Sequence, residues 1–394
     1  MAPNCMKYLR FALVVFASAV GIARAQDDER RAPPTEIPDF SNLDEYIYEP
    51  KSSVTLGFRH LSGAKTTFSG RGSVPAPEDP GPTTGANLFR LYHDGSVEPD
   101  TRIAPQFDPA GNPVLDNNSQ VFAPITPDGK TNTWSFADAR QLSEANGYVA
   151  FHSYSADITD TGIRSRDADA TNGLELAVTR DMGKLFGSRL SWNLTARMSI
   201  NDITAAKTDQ VDATITTRRD YYSLFGQTPP EPPYAASSAV DSPVLLANEP
   251  ALSLTTTSNG TVENRWKLKG SYFTFRAGPT IWIPFSSRFR LSISVGGALV
   301  YAGTSYTVVE TFTPEIGADI VESSSSVENK LLPAYYADAS LQFDLTERAG
   351  FYAGAVFQSA GSYDQTIENE KAHYATKIDL ANQNGLRAGM SIRF

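Results

Sequence analysis

Residues 384–394 read NGLRAGMSIRF, and this stretch decides the predicted fold. Every second residue from Leu386 to Phe394 is apolar, whereas the residues between them include Arg387 and Arg393. Successive side chains of a β-strand point to opposite faces, so the pattern predicts a strand with one apolar and one polar face. Its length matches the roughly 9–11 residues with which a tilted strand crosses a bilayer.

The same two-residue period recurs upstream through most of the second half of the chain. Its clearest example is 189–201, where apolar and polar residues alternate in a way that a helix does not explain. Comparable segments are 52–60, 147–157, 171–182, 272–285, 288–306, 334–345 and 350–358. The pattern predicts an all-β protein built from antiparallel strands.

The links between these predicted strands alternate in length. Counted back from the last strand, the long links are 364–383, 310–330, 202–270 and 158–170, and the short links are 346–349, 286–287 and 183–188. Barrels of the outer membrane have short turns on the periplasmic side and long loops outside. The proline-rich tract 219–260 is predicted as a loop, with polar strands near 209–218 and 261–269 that extend one hairpin beyond a membrane.

The first 25 residues have the pattern of a secretory signal peptide. Lys7 and Arg10 precede an apolar run over 11–22, and small residues lead to a predicted cleavage after Ala25. The apolar run is shorter than the roughly 20 residues that a membrane helix needs. The predicted organisation is therefore a signal peptide over 1–25, a flexible segment over 26–51 and a barrel over 52–394.

Charge and cysteine content exclude some classes of function. The whole chain has a net charge of −10, and the predicted leader contains basic residues but no acidic ones, so the mature chain is more acidic still. An acidic exported protein is a poor nucleic-acid binder, and no nucleic-acid partner is predicted. The leader also contains Cys5, the single cysteine, so neither a disulfide framework nor a thiolate metal site is predicted.

The exported leader, the alternating strands and the final G-M-S-I-R-F resemble bacterial outer-membrane β-barrel proteins. The resemblance covers 147–394 well and 52–146 poorly. It implies a closed antiparallel transmembrane barrel of meander topology, surrounded by outer-membrane lipid and lipopolysaccharide. It also implies that the barrel-assembly machinery reads the terminal strand as its signal, through Leu386, Met390, Ile392 and Phe394. The alternative is a soluble barrel whose apolar faces point inward.

The number of strands depends on how the first part of the chain is assigned. Residues 147–394 supply eight strands, and 52–60 with a return strand near 86–92 would make ten, which is the prediction. Further hairpins from 94–142 would make twelve, and single-chain bacterial barrels have even numbers. The tract 61–146 has no sustained period, and it could be an outer loop, a plug or a small layer of hairpins.

The polar faces of the predicted strands contain charged residues that would point into the lumen. They are Arg59, Glu175, Asp181, Arg197, Arg276, Arg288, Arg290, Asp338, Asp344, Arg387 and Arg393. Both signs occur, which suits ion pairs that brace a narrow interior, although the same residues could line a pore. Side chains fill an eight-stranded barrel, whereas sixteen or more strands leave a water channel, so bracing is favoured.

No enzymatic activity, cofactor or metal site is predicted. His93-Asp94 is predicted as a solvated turn, and no G-x-S-x-G motif marks a nucleophile. Residues 167–178 faintly resemble a calcium loop, but the glycine is one place late and Val178 stands where the loop needs a glutamate. A solvated acidic loop is predicted there.

Two classes of function remain open. The first is a structural or surface-interaction barrel that presents long acidic loops, chiefly 202–270 and 310–330. The second is a small porin or channel for polar solutes, with a barrel-embedded hydrolase as a more distant third. The sequence predicts no oligomeric state.

Overall fold

The computed structural model of the chain describes residues 51–74, 80–85, 88–105, 107–114, 122–125, 127–143, 147–186, 189–236 and 244–394. The predicted signal peptide and residues 26–50 lie outside the described residues. Within the described ranges the chain is nearly all β-strand, with one short 3-10 helix at Ala139–Gln141. No helix there is long and apolar enough to span a membrane.

The all-β, antiparallel prediction is confirmed. In chain order the first strands are β1 (Ser52–Ser62), β2 (Lys65–Val74), β3 (Arg90–Tyr92), β4 (Gly95–Val97), β5 (Ile103–Pro105), β6 (Phe122–Pro124), β7 (Lys130–Thr131), β8 (Trp134–Phe136), β9 (Leu142–Ser143), β10 (Tyr148–Ile158) and β11 (Arg164–Asp167). The remaining strands are β12 (Thr171–Lys184), β13 (Ser191–Ser223), β14 (Tyr234–Ala235), β15 (Leu246–Ala247), β16 (Leu252–Pro284), β17 (Phe289–Phe312), β18 (Ile320–Asp344), β19 (Ala349–Ser359), β20 (Ser362–Glu368), β21 (Ala372–Asp379) and β22 (Gln383–Arg393).

Eight of these strands pair side by side in a ring. The pairings run from β1 through β12, β13, β16, β17, β18 and β19 to β22, and β22 pairs back with β1. In the returning pair, Leu56 lies opposite Met390. Eight strands take part in this cycle of pairings, whereas 148–158 and 90–92 pair elsewhere. The number of ten barrel strands stays a prediction.

The short links predicted from the sequence lie at one end of the ring. They connect β12 to β13, β16 to β17 and β18 to β19. Ser52 and Phe394 exchange backbone hydrogen bonds of 3.1 and 2.9 Å at the same end. We call this the turn end and the opposite one the cap end.

Several tracts predicted as long loops are strands for most of their length. β13 and β16 pair from Ser191 opposite Trp282 to Tyr221 opposite Leu252, so most of 202–270 is a two-stranded ladder. β17 and β18 pair as far as Phe312 opposite Ile320. The polar strands predicted near 209–218 and 261–269 lie within the β13–β16 ladder. The loop predictions are wrong for 219–223 and 252–260, which are strand, and for most of 310–330. The predicted loops at 158–170 and 364–383 likewise contain β11 and the β20–β21 hairpin.

The tract 61–146 contributes β2 to the main sheet and otherwise forms short hairpins at the cap end. β2 pairs with β10, β11 and β21, and β10 pairs with the far part of β13. β3, β4, β8 and β14 form a separate four-stranded sheet, and β7 pairs with β15. We call β3 to β9 together with β14 and β15 the cap layer. Its core is a cluster of buried side chains that includes Tyr92, Trp134, Phe136, Phe151 and Tyr222.

The outward faces of β13 and β16 change character along their length. On β16 the outward residues near the turn end are Phe273, Phe275, Ala277, Pro279, Ile281 and Ile283, and those nearer the cap end are Glu263, Arg265, Lys267 and Lys269. The buried face changes in the reverse sense, from Thr274, Arg276 and Thr280 to Val262, Trp266 and Leu268. We call the part with the apolar outward face the belt half and the rest the extension half. On β16 the change occurs near Ser271.

Candidate functional site

Six charged side chains from six ring strands meet on the buried face of the belt half. They are Arg59, Glu175, Arg197, Arg276, Asp338 and Arg387, and each is at most 6% exposed. The alternation of the strands directs all six inward, as the sequence predicted, and the pairing register brings them to a similar level. We call these six residues the charged layer.

Each of the two carboxylates in the charged layer holds two arginines. Glu175 pairs with Arg276, and its Oε1 lies 3.3 Å from Nη1 of Arg387. Asp338 pairs with Arg197 at 2.6 Å and with Arg387 at 3.2 Å. Arg387 therefore bridges the two carboxylates, and the loss of either one would leave buried arginines without an ion-pair partner.

Arg59 differs from the other three arginines because, among the described residues, it has no carboxylate partner. Its Nη1 donates to Ser199 Oγ at 2.9 Å and its Nη2 donates to Gln358 Oε1 at 2.7 Å. Both partners are neutral. The layer therefore contains four arginines and two carboxylates, a formal charge of +2.

Tyrosine rings pack against the guanidinium groups of the charged layer. Those of Arg197 and Arg276 lie 5.7 and 5.3 Å from the ring centroid of Tyr336. That of Arg387 lies 4.8 Å from the ring centroid of Tyr352. A cation over an aromatic face is attracted by the ring quadrupole, so these contacts both fill the interior and stabilise the charges.

The remaining predicted lumen charges lie toward the turn end. Asp344 pairs with Arg290 at 3.0 Å and with Arg393, and all three are only partly buried. Arg288 is exposed, because it lies in the turn between β16 and β17 rather than on a strand. The inward prediction for Arg288 is therefore wrong. Asp181 is exposed at the turn end, but it pairs in register with Asn193 and keeps the inward parity of Glu175; the register shift follows it.

Large apolar side chains occupy much of the buried face of the extension half, beside a few buried polar ones such as Asn264 and Thr304. Phe68 stacks against Trp266 and Tyr306, with ring centroids 6.3 and 5.9 Å away, and all three are at most 1% exposed. They belong to a cluster of buried hydrophobic residues that draws on both the long ring strands and β2, β10, β20 and β21. On the cap side of the charged layer, aromatic and aliphatic side chains thus pack the interior.

Glu310 is a carboxylate within this apolar packing. It is 2% exposed, makes no ion pair among the described residues, and accepts a hydrogen bond of 2.7 Å from the Tyr374 hydroxyl. Burial raises the pKa of Glu310, the hydrogen bond from Tyr374 lowers it, and the charge of Glu322, directly opposite on β18, raises it further. The net effect is a raised pKa.

Asp94 takes part in a buried contact that the sequence analysis missed. It is 2% exposed, and its Oδ2 lies 2.5 Å from Nδ1 of His152. Nε2 of His152 accepts a hydrogen bond of 2.8 Å from Nε of Arg219, so the imidazole proton lies on Nδ1 and is donated to Asp94. The prediction of a solvated turn is wrong for Asp94. His152 is 58 residues away, so no local pattern could have revealed the contact.

The surroundings of Asp94 favour a bracing role over catalysis. Burial raises the pKa of its carboxyl, and the hydrogen bond from His152 lowers it. Burial also lowers the pKa of the neighbouring His93 to about 4, so that side chain is neutral. Because both ring nitrogens of His152 are engaged, neither is free to accept a proton from a substrate. The contact instead ties the cap layer to β10 and β13.

The calcium-like segment has an ordinary surface environment. Asp169 is solvent-exposed and lies 3.9 Å from Arg166. Among the described residues, no three His, Cys, Asp or Glu side chains converge on a possible metal site.

The terminal strand contributes to the apolar outward face. Leu386, Met390, Ile392 and Phe394 are all more than half exposed and share one face of the strand, with Phe394 immediately after the last residue of β22.

Comparison with solved structures finds similarities to outer-membrane proteins. The outer membrane protease OmpT from Escherichia coli is 11% identical with a TM-score of 0.28, over 92% of this chain and 100% of that one. Ail of Yersinia pestis, the attachment invasion locus protein solved with the heparin analogue sucrose octasulfate, is 10% identical with a TM-score of 0.20, over 86% and 99%. A Pseudomonas aeruginosa FadL homologue is 9% identical with a TM-score of 0.20, over 87% and 90%. No protein-family model and no curated protein matches the chain. At these TM-scores the similarities carry no argument about function.

Proposed function

We propose that the protein is an integral β-barrel of the bacterial outer membrane, in which the eight ring strands close around the charged layer. The observation that carries this proposal is the band of large apolar side chains on the outward face of the belt half. It includes Leu56, Phe58, Leu174, Leu194, Ile293, Val295, Leu299, Leu341, Phe351, Leu386, Met390 and Ile392, each more than a third exposed. Soluble monomers rarely expose so large a contiguous apolar surface.

The height of this band suits a bilayer. On β16 the outward apolar residues run from Phe273 to Ile283. Ten residue steps of roughly 3.3 Å, tilted by about 40°, cover about 25 Å, which matches the apolar band of outer-membrane barrels. In hydrocarbon every backbone group must be paired, and a closed ring of strands achieves this because it has no edge.

The polarity of the buried face supports the same proposal. In a soluble barrel the apolar faces point inward and the polar faces meet water. In the belt half the reverse holds, since Arg197 and Arg276 are buried and Leu194 and Ile281 are exposed. Lipid and lipopolysaccharide are therefore the proposed surroundings, and the terminal strand, through Leu386, Met390, Ile392 and Phe394, is the proposed signal for the barrel-assembly machinery.

Within this proposal the barrel has a structural or surface-interaction role. Ion-paired side chains occupy the interior of the belt half, and the apolar packing around Phe68, Trp266 and Tyr306 occupies the extension half. An eight-stranded barrel has an interior that side chains fill. The surfaces presented outside the membrane are the extension half and the cap layer, where the sequence analysis predicts long acidic loops.

The alternative is a small channel for polar solutes. The observation that favours it is the excess of arginine in the charged layer, which would make such a channel select anions. Single-channel recording in a planar bilayer separates the two functions. A barrel whose interior is sealed by side chains is expected to give no conductance steps. A shift in gel migration between unboiled and boiled samples is the control that shows the protein is folded. Regular conductance steps from protein that passes this control would contradict the sealed barrel.

A further inference from the structure

The register of the ring places arginines directly opposite one another. Arg197 on β13 faces Arg276 on β16, and Arg59 on β1 faces Arg387 on β22. Like charges at directly opposed positions destabilise a sheet. Arginine does not lose its proton in proteins, so the repulsion cannot be relieved by titration.

The charged layer does not balance its own charge. Within the described chain, Glu175 and Asp338 are the carboxylates that pair with these four arginines, which leaves an excess of two positive charges. All six side chains are buried. A buried charge is tolerated when it is paired and hydrogen-bonded, so this excess calls for a counter-ion.

Hydrogen-bond donors are also left over at the same place. Within the described chain, Nε and Nη1 of Arg276, Nε of Arg59 and the hydroxyl of Tyr352 are buried and make no hydrogen bond. A neighbour links Arg59 to the strand of Arg276. Arg59 bonds to Ser199, which lies opposite Thr274, two residues from Arg276 on the same face. Donors on different strands are thus left over in a layer where positive charge is in excess.

We propose that the charged layer binds one small inorganic anion, of the size of chloride, which accepts hydrogen bonds from Arg276 and Arg59. Guanidinium groups and a tyrosine hydroxyl are suitable donors to such an ion. A small ion is specified because tyrosine rings and ion pairs crowd the site on several sides. The anion binds whether or not the barrel conducts.

The test compares unfolding in two salts. Protein folded into lipid vesicles is titrated with urea in sodium chloride and in sodium gluconate of equal ionic strength. A ligand that binds only the folded state stabilises it by mass action, so the wild-type midpoint is expected to be higher in chloride. The double variant Arg59→Met/Arg276→Met makes the layer neutral and keeps the ion pairs of Arg197 and Arg387. It is expected to show equal midpoints in the two salts.

Two further variants test whether the chloride response depends on the charge of this layer. Lys269→Gln removes an exposed outward charge and is expected to keep the wild-type response to chloride. Asp338→Asn raises the excess of positive charge and is expected to enlarge the response. Equal wild-type midpoints in chloride and gluconate would overturn the proposal, as would a chloride response that persists in the double variant.

Crystals of the wild-type protein allow a direct measurement that does not depend on the folding of the variants. Wild-type crystals grown in sodium bromide are expected to show an anomalous peak within hydrogen-bonding distance of Arg276 Nη1. A map with no bromide peak among the four arginines would overturn the proposal. Neither result depends on the conductance recording, so failure of the anion site and failure of the sealed barrel are distinguishable.

Discussion

The belt half and the extension half are made from the same strands with opposite polarity. On the buried face of β13, Arg197 and Ser199 give way to Ile203 and Ala205 within a few residues, while the outward face changes from Leu194 to polar residues. One continuous ladder therefore serves two environments. The contrast indicates that the medium outside each half determines whether the outward face is apolar or polar. The buried face has the opposite character in each half.

A buried glutamate also has different partners in the interiors of the two halves. Glu175 lies among arginines and pairs with two of them. Glu310 lies among aromatic rings and has only the hydroxyl of Tyr374 as its side-chain partner in the described chain. The first carboxylate stabilises its surroundings by neutralising charge, whereas the second is a charge that the extension half buries without an opposite charge.

The largest expected effect comes from Glu175→Gln. The substitution leaves four buried arginines with one carboxylate, and removing one partner of a buried ion pair costs about 3–5 kcal/mol. We expect a loss of that size in the free energy of unfolding, measured by urea titration in lipid vesicles.

Glu310→Gln is the matched substitution in the extension half, and we expect the opposite sign. Because the folded state raises the pKa of Glu310, folding favours the protonated form, and the carboxylate destabilises the fold as the pH rises above the unfolded pKa. The variant should therefore be more stable than wild type at pH 8 and show no gain near pH 4. If it lost as much stability as Glu175→Gln at pH 8, the contrast between the interiors would be wrong.

The sequence predicted the strands of the belt half well because a simple two-residue alternation defines them. Polar residues such as Ser292 and Ser294 alternate with apolar ones, and short turns separate the strands. In the extension half the sequence predicts strands near 209–218 and 261–269 and a loop over 219–260, but it does not reveal one continuous ladder. The reason is that the apolar parity changes face beyond Asn201 and that Lys207 and Asp209 interrupt the new inward series. Asp209 is accommodated by an ion pair of 3.1 Å with Arg164, a partner that local patterns do not reveal.

The candidate site was predictable only in part. Alternation along single strands identified which charges point inward, but not which of them meet. The ion pairs of Asp338 with Arg197 and Arg387 depend on the registers of several strand pairs around the ring. The contact between Asp94 and His152 depends on how the cap layer packs on β10, which the two-residue period does not encode.

A smaller expected effect compares two arginine substitutions on the outward face of β18. Leu341 lies in the belt half and is 47% exposed, and Val327 lies in the extension half and is 68% exposed. Leu341→Arg should cost about 2–4 kcal/mol, the penalty for arginine near the midplane of a barrel. Val327→Arg should stay within about 0.5 kcal/mol of wild type, as surface substitutions do. Equal costs in a vesicle unfolding titration would mean that both positions meet the same medium.

A spin-label scan along the outward face of β16 tests most directly whether the belt half lies in lipid and the extension half in water. Single cysteines replace Glu263, Lys267, Phe273, Phe275 and Ile281 in turn, and the labelled proteins are folded into vesicles. Accessibility to oxygen, which concentrates in lipid, and to a water-soluble nickel chelate is then measured at each site. We predict that the nickel chelate dominates at 263 and 267 and that oxygen dominates at 273, 275 and 281, with the change near Ser271. High nickel accessibility at all five positions would contradict the account, because it would place both halves in water.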